Sequence, residues 1–258
     1  MSVSWLCKHV ARPWAAARLF CFPYAGVGAS VYRLWPAGLP PALEVCPVQL
    51  PGRESRLREA PVANIDALVD ALLPALLPHL DRPFAFFGHS MGAVLAVEVA
   101  RKLVNTGRAS PAHLIVSGRR PPYMPATEPD FHMLPDAEFI AEIERRYRGI
   151  PQEVMQQQEL LQLLLPCLRA DITALETHLP PRKPPLPCPI SAFGGTDDRL
   201  TPREHLEAWQ DETTAAFQLR TYRGDHFYLR VHEAAVLADV ASTLAPMLRT
   251  AGLRSALA

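Results

Sequence analysis

The sequence has little that would place it in a membrane or in an oxidising compartment. No apolar run is long and uninterrupted enough to cross a bilayer. The five cysteines form no Cys-x-x-Cys pair, and their odd number suits reduced thiols in a cytosol. A secretory leader is not expected, because Arg18 and Pro23 interrupt the early stretch that could form its apolar region. We therefore expect a cytoplasmic protein that does not bind a membrane.

An excess of charge of either sign is also missing. Lys and Arg together number 26, as do Asp and Glu together, so the formal net charge is zero. No general attraction to nucleic acid is therefore expected. We find no internal repeat, no phosphate-binding glycine loop and no metal-ligand spacing. The length of 258 residues suits one large α/β domain. We predict a single domain over 1–258 that acts as a monomer without a metal ion.

Apolar runs that resemble strands alternate with helical segments along the chain. This alternation predicts a mostly parallel, doubly wound sheet flanked by helices. Asn64 is a candidate N-cap for a helix that begins at Ile65, and Pro74 and Pro78 are expected to kink or end that helix. The six strand candidates are residues 18–22, 43–48, 84–88, 113–117, 190–194 and 218–222.

The region at about 119–188 breaks this alternation. It has a proline-rich entry, an amphipathic stretch at 136–147, an apolar stretch at 160–168 and a second proline cluster at 180–185. We interpret it as a helical lid inserted into the sheet, with prolines at its far boundary. The alternative is a plain helical layer of the same domain.

A glycine-flanked serine is the most informative feature of the chain. Gly88 and Gly92 surround Ser90 in a Gly-x-Ser-x-Gly pattern, between an apolar run at 84–87 and a helix-compatible segment at 94–103. The pattern alone occurs often by chance, but between a strand and a helix it is typical of a nucleophile elbow. The sequence therefore predicts that Ser90 is a catalytic nucleophile.

An orienting acid and then a base are expected downstream of such a serine. The segment 189–195 resembles a strand that ends in glycines, and Asp197 and Asp198 follow it. We prefer Asp198 because two residues separate it from Gly195, which is the spacing we associate with the acid loop of hydrolases that have a nucleophile elbow. Asp197 stays open as the alternative, with loop or helix capping as its other interpretation.

His226 is the candidate base. It follows a strand-like run at 217–222 and precedes the last helix, so it has the expected order and position. His89 lies beside the nucleophile, where we expect it to shape the turn rather than transfer protons. The remaining histidines are interpreted as ordinary core or surface residues without a matching acid.

Backbone N–H groups should complete the site by binding the oxyanion. Met91, directly after the nucleophile, is the first predicted donor. The second should come from the glycine-containing loop after the strand at 18–22, where we choose Ala25 and keep Tyr24 as the alternative. A simple glycine-rich turn is the other interpretation of this loop.

Several motifs, in one order, give the chain a resemblance to a known family. Over about 18–248 it resembles the type II thioesterases of nonribosomal peptide and polyketide synthesis. The motifs that carry the resemblance are FPYAG at 22–26, QLPGRE at 49–54, FGHSMG at 87–92, GDHFYL at 224–229, and the lid segments LPDAEF at 134–139 and LPCLRAD at 165–171.

The resemblance implies an α/β-hydrolase fold and an enzyme that hydrolyses thioesters. Its substrate would be an acyl group on the phosphopantetheine arm of an acyl or peptidyl carrier protein, so misprimed or stalled groups would be cleared. The carrier protein is then the partner, and no cofactor is needed because the substrate carries the phosphopantetheine. The residues alone indicate only a serine hydrolase. A free-ester or lipid hydrolase and an inactive carrier-binding module therefore stay open as alternatives.

A lid must present an apolar underside to the site that it covers. We therefore predict that Phe139 and Leu164 line part of an acyl channel. The apolar run at 161–165 could equally be helix core.

Overall fold

Six strands form one parallel sheet in the computed structural model, which describes residues 4–7, 10–150 and 152–255. The strand order is β2-β1-β3-β4-β5-β6, and each neighbouring pair is parallel. The outermost parts of the predicted domain, 1–3 and 256–258, lie outside the described residues. The strands are β1 (Ala17–Phe22), β2 (Leu43–Pro47), β3 (Phe84–His89), β4 (His113–Ser117), β5 (Ile190–Gly195) and β6 (Phe217–Tyr222).

Helices connect successive strands, as parallel pairing requires. No described helix has the length and apolar character needed to span a membrane. The helices are α1 (Trp35–Gly38), α2 (Ile65–Leu76), α3 (Met91–Asn105), α4 (Asp136–Tyr147), α5 (Gln152–Met155), α6 (Gln158–Glu176), α7 (Arg203–Glu207), α8 (Tyr228–Val231) and α9 (Glu233–Ser255).

The sheet buries both of its faces. Neighbouring strand residues point to opposite faces, so Phe86 joins the core beneath α2 and α3, whereas Phe87 joins the core beneath α9. All six residues of β1 and all six of β3 are buried. This two-sided burial explains why the central strands are continuous apolar runs rather than alternating ones.

Helix α2 begins where the sequence predicts but does not end at its first proline. The Asn64 side chain accepts a hydrogen bond from the Ala67 N–H at 2.8 Å and so caps the helix. Pro74 lies inside the helix, which continues to Leu76 and passes into a 3₁₀ turn that contains Pro78. Pro74 therefore does not end α2, and of the two prolines only Pro78 accompanies the end of the helix.

Helices α4 to α6 lie between β4 and β5, in the region interpreted as a lid. The second half of α6 packs in the main core through Ile172 and Leu175, whereas Leu160 and Leu163 in its first half are exposed. Pro166 lies inside the helix between the two halves. Helix α6 thus belongs to the main core in its second half and is partly exposed in its first half, and the lid stays a prediction.

The carboxyl ends of the parallel strands meet at one edge of the sheet. The loops after β1, β3, β5 and β6 leave from this edge, and they contain the four predicted site segments. β1 lies between β2 and β3, so the strand order reverses there and the connections diverge. A crevice at such a point is where open α/β sheets bind their ligands.

Candidate active site

Ser90 occupies a strained turn between β3 and α3. Its backbone has φ 53° and ψ −115°, a conformation that costs free energy for a residue with a side chain. The flanking glycines allow the turn because no Cβ fits at either position. A Cβ on Gly88 would lie 2.1 Å from the carbonyl oxygen of Gly92, and one on Gly92 would lie 2.0 Å from that of Phe22. The predicted nucleophile therefore has the geometry of a nucleophile elbow.

Asp198 and His226 are joined by a short hydrogen bond. The His226 Nδ1 lies 2.7 Å from the Asp198 Oδ2, and both side chains are almost fully buried. Burial raises the pKa of Asp198, but the charge and hydrogen bond of His226 outweigh this effect and lower the pKa overall. The Leu200 N–H, 3.1 Å from the Asp198 Oδ1, also favours the ionised carboxylate. The acid can thus fix the tautomer and orientation of the imidazole.

Asp197 has a different environment from its neighbour. Its residue is exposed, its N–H donates to the carbonyl oxygen of Gly224 at 2.8 Å, and its carboxylate lies 3.3 Å from the Thr196 hydroxyl. It makes no hydrogen bond to a histidine in the described part of the chain. The structure therefore brings Asp198, rather than Asp197, to the predicted base.

Ser90 and His226 line the same cavity without a hydrogen bond between them. Among the described residues the Nε2 of His226, a buried atom, has no hydrogen-bond partner. Contacts of this kind are often long in unliganded enzymes and shorten when substrate binds. The Nε2 of His226 therefore has no competing partner among the described residues if it is to exchange a proton with a group in this cavity.

The predicted oxyanion donors lie on two adjoining segments. Met91 is the first residue of α3, and Ala25 lies in the loop after β1, on the wall of the cavity that contains Ser90. Within the described residues, neither N–H donates a hydrogen bond to another group of the protein. Tyr24, the alternative, packs its ring on His89 and Phe227. The two N–H groups are thus free to bind a developing oxyanion.

His89 is a fully buried neighbour of the predicted base. The centroids of the His89 and His226 rings lie 5.0 Å apart. The Nδ1 of His89 is 2.8 Å from the Ser117 hydroxyl, which is 2.6 Å from the Tyr228 hydroxyl. Burial, followed by the charges of His226 and Arg230, lowers the pKa of His89 well below its usual value. A neutral His89 can support the turn and the His226 ring without competing for the catalytic proton.

We expect the pH dependence of stability to reveal this neutral ring. The unfolded chain protonates His89 near pH 6.5, but the folded protein does so only at much lower pH, so stability falls as the pH drops below about 6.5. In His89→Gln, the loss of unfolding free energy between about pH 7 and pH 5.5 should be smaller by about 1 kcal/mol. Denaturant titrations of both proteins measure this difference. Identical pH dependence would contradict a neutral His89.

An apolar cavity of about 250 Å³ opens beside Ser90. Its walls come from the loop after β1, from the insertion and from the His226 loop. Leu164, one of the two residues predicted to line an acyl channel, lies on this wall. The lining residues are Tyr24, Ala25, Gly26, Val27, Ser90, Ile143, Tyr147, Gly149, Ile150, Val154, Leu164, Leu168, Ile172, Leu175, His226, Phe227 and Arg230.

Phe139, the other predicted channel residue, does not line this cavity. Its fully buried ring packs against Phe131, with a centroid distance of 5.3 Å, and the Arg169 guanidinium lies 4.2 Å from its ring centroid. Ile143, one turn later on α4, is on the cavity wall instead. The prediction for Phe139 is therefore wrong. This residue packs α4 against the preceding loop, through Phe131, and against α6, through Arg169.

A second, polar cavity of about 200 Å³ lies against His226. Arg119 and Arg120, in the loop after β4, line it, and neither forms an ion pair within the described residues. Burial lowers the pKa of Arg119, and it lowers the pKa of Arg120 to about 10. Tyr147 lines both cavities, and its ring packs 5.2 Å from the His226 ring. The sequence analysis missed all three residues, because nothing in their local pattern shows that the loop after β4 and the end of α4 reach His226.

Two other histidines have acidic partners that the sequence analysis did not foresee. The His132 Nδ1 lies 2.7 Å from the Glu176 carboxylate, and the His178 Nε2 lies 3.6 Å from that of Glu98. Glu176 also accepts from the backbone N–H groups of Phe131 and His132, so it attaches a loop to α6. His9 lies outside the described residues. In the described residues no cluster of three or more potential metal ligands is found.

Comparison with known proteins agrees with this geometry. The family model of the thioesterase domain matches residues 17–244. The gramicidin S biosynthesis protein GrsT of Aneurinibacillus migulanus is 42% identical over 225 residues, which are 87% of this chain and 88% of that protein.

Solved structures give the same result. The RedJ thioesterase from the prodiginine pathway of Streptomyces coelicolor has 39% identity and a TM-score of 0.84, and the match covers 90% of this chain and 92% of that one. The type II thioesterase BorB from the borrelidin cluster has 37% identity and a TM-score of 0.83, with coverage of 96% and 98%. These matches confirm the predicted α/β-hydrolase fold and the resemblance to type II thioesterases. The chain belongs to the thioesterase domain family.

Proposed function

We propose that this thioesterase removes acyl groups from the phosphopantetheine arms of carrier proteins in a nonribosomal peptide or polyketide assembly line. The main support is the apolar cavity beside Ser90, because the helical insertion covers it and it can hold an acyl group next to a nucleophile. The names of relatives from gramicidin S and borrelidin biosynthesis point to the same setting. We place the enzyme in the cytoplasm, where carrier proteins would meet it.

Ser90 begins the proposed reaction by attacking the thioester carbonyl carbon. The Nε2 of His226 takes the hydroxyl proton, and the carbonyl oxygen becomes an oxyanion that the N–H groups of Ala25 and Met91 bind. The C–S bond then breaks, and the protonated His226 gives its proton to the departing sulfur. Ser90 is left as an acyl ester, and the arm leaves as a free thiol.

Water completes the cycle in the second half of the reaction. His226 takes a proton from the water as its oxygen attacks the acyl ester, and the same two N–H groups bind the second oxyanion. The C–O bond to Ser90 breaks, and the proton on His226 returns to the serine oxygen. The carboxylic acid is released without any cofactor. Asp198 stays ionised throughout and stabilises the imidazolium each time it forms.

The two cavities suggest how the substrate is divided between acyl group and arm. His226 must face the leaving sulfur, so the arm should extend on the His226 side of the scissile bond. His226 lines both of these cavities, whereas Ser90 lines only the apolar one. A third, more open cavity is also lined by His226 and not by Ser90, but Arg119 and Arg120 do not line it. We therefore assign the apolar cavity to the acyl group. We assign the polar one, with the guanidinium donors of Arg119 and Arg120, to the amide-containing arm.

A comparison of three substrates with one acyl group tests this function. We expect kcat/KM to be highest for the acyl group on a carrier protein, lower on free pantetheine and lowest as a simple alcohol ester. Carrier docking adds binding energy far from the chemistry, and that energy can position the acyl group. Because the net charge of the chain is zero, moderate salt should weaken carrier docking only modestly.

The alternatives predict other outcomes of the same assay. A clear preference for the simple ester would contradict the proposal and favour a free-ester or lipid hydrolase. Absence of turnover on all three substrates, together with carrier binding, would favour an inactive binding module. A burst of product from a chromogenic ester would separate an enzyme from a binder, because the burst reports acyl-enzyme formation.

A further inference from the structure

Asp171 of α6 is a buried acid that the proposed reaction does not use. Its two carboxylate oxygens accept from Arg53, Oδ2 from Nη1 at 2.5 Å and Oδ1 from Nη2 at 2.8 Å. Oδ2 also accepts from the backbone N–H of Gly26 at 2.8 Å. The Asp171 side chain has no exposed surface, and that of Arg53 is 6% exposed. One carboxylate thus joins three segments that are distant in sequence.

Arg53 holds the loop after β1 from its other side. Its Nη1 donates to the carbonyl oxygen of Val27 at 3.3 Å, and its Nε donates to that of Pro51 at 3.2 Å. Gln49 extends the network, because its Nε2 donates to the carbonyl oxygen of Arg53 at 3.0 Å and its Oε1 accepts from the Ala29 N–H at 2.9 Å. The segment from Gly26 to Ala29 is thereby held at three points.

Gly26 connects this hydrogen-bond network to the predicted oxyanion site. This residue comes directly after Ala25, and its φ of +78° is a left-handed conformation that favours glycine. Its N–H is engaged by Asp171 and so is not available to an oxyanion. That hydrogen bond fixes the peptide between Ala25 and Gly26. It therefore restricts the rotation of Ala25, whose own N–H makes no hydrogen bond within the described residues.

We infer that Asp171 and Arg53 are positioning residues that hold the loop after β1 so that the Ala25 N–H can bind the oxyanion. This inference rests on the catalytic roles given above to Ser90 and Ala25. Stability alone does not account for a buried ion pair here, because an apolar pair of similar volume is often as stable or more so. A charge-assisted acceptor for the Gly26 N–H is what an apolar pair could not supply.

The double variant Arg53→Met/Asp171→Leu tests the inference without leaving an unpaired buried charge. We expect kcat to fall about ten- to a hundredfold, somewhat less than when an oxyanion donor is removed outright, with KM changed less than about threefold. The inhibition constant of a trifluoromethyl ketone, which forms a tetrahedral adduct with the serine, should rise by the same factor. If Asp171 and Arg53 had a purely structural role, the fall in kcat and the rise in the inhibition constant would not be equal.

Another buried ion pair, at the amino ends of the strands and therefore opposite the site, provides a matched control. Arg18 and Glu44 form a buried pair at 2.8 Å near the amino ends of β1 and β2, with side chains 8% and 2% exposed. Glu44→Gln should lower the melting temperature and leave kcat unchanged. Asp171→Asn, which keeps an oxygen acceptor for Gly26, should lose less kcat than the double variant even if it is less stable.

The assay should use both an acyl-carrier thioester and a chromogenic ester. Both substrates form an oxyanion, so the kcat loss of the double variant should appear with either one, even if the wild-type enzyme prefers the ester and the carrier proposal fails. A folded double variant with kcat within threefold of wild type would overturn the positioning role. Unchanged binding of the trifluoromethyl ketone would overturn it as well.

Discussion

Replacing Ser90 with alanine is expected to lower turnover at least about a thousandfold while the protein still folds. A methyl group cannot attack the carbonyl, so no acyl-enzyme forms, and the oxyanion donors alone provide only residual catalysis. Folding should be retained because the side chain of Ser90 caps no helix, and the turn is held by its neighbouring glycines and by the bond from the Ser90 N–H to the Ser117 carbonyl oxygen at 2.8 Å. Steady-state rates with an acyl-carrier thioester measure the loss.

Two further measurements make this result specific. A fluorophosphonate probe should label the wild-type protein at Ser90 and leave Ser90→Ala unlabelled, and both proteins should have similar melting temperatures. If the variant kept a rate near that of wild type, the nucleophile would have to be another residue, and the assignment of the elbow would be wrong.

The neighbouring aspartates provide the second large effect. Asp198→Asn should lower kcat on the order of ten-thousandfold, the effect measured in a related triad, whereas Asp197→Asn should change it little. An amide at position 198 would favour the wrong tautomer of His226 and could not stabilise its positive charge. Asp197 is exposed and makes no contact with His226 that would transmit its loss.

The pair of variants is its own control, because the same chemical change is made at adjacent positions. The reverse ranking would move the orienting role to Asp197. Two small effects would show that neither carboxylate orients the base. The pH profile adds a check. Asp198→Asn should recover part of its activity in alkaline buffer, because hydroxide can take the Ser90 proton in place of a histidine in the wrong tautomer.

Local pattern was enough to predict the sheet and the chemical order of the site. The strands on both sides of the elbow are buried on two faces, so their sequences are continuous apolar runs that stand out from the helices. Asn64 could be identified as a cap because capping involves residues only three positions apart. Ser90, Asp198 and His226 follow strands in the expected order, so their common position at one sheet edge follows from parallel topology.

Features set by tertiary packing could not be predicted in this way. Phe139 and Ile143 lie one turn apart on an amphipathic helix, and only the packing of α4 decides which of them faces the cavity. Asp171 is separated from Arg53 by 118 positions, and nothing local predicts their contact. The only local signal was that Asp171 lies on an otherwise apolar face of α6. A buried carboxylate in such a position needs a partner, but the sequence does not show which residue provides it.

The approach of Gly92 to the carbonyl oxygen of Phe22 limits how this enzyme can evolve. Any side chain at Gly92 would separate the elbow from the strand that leads to Ala25, so a single mutation there would disturb nucleophile and oxyanion donor together. New acyl specificities must therefore arise elsewhere. Val154 and Leu164 lie on the cavity wall, outside this contact, and they are the natural starting points for selection of variants with a different chain-length range.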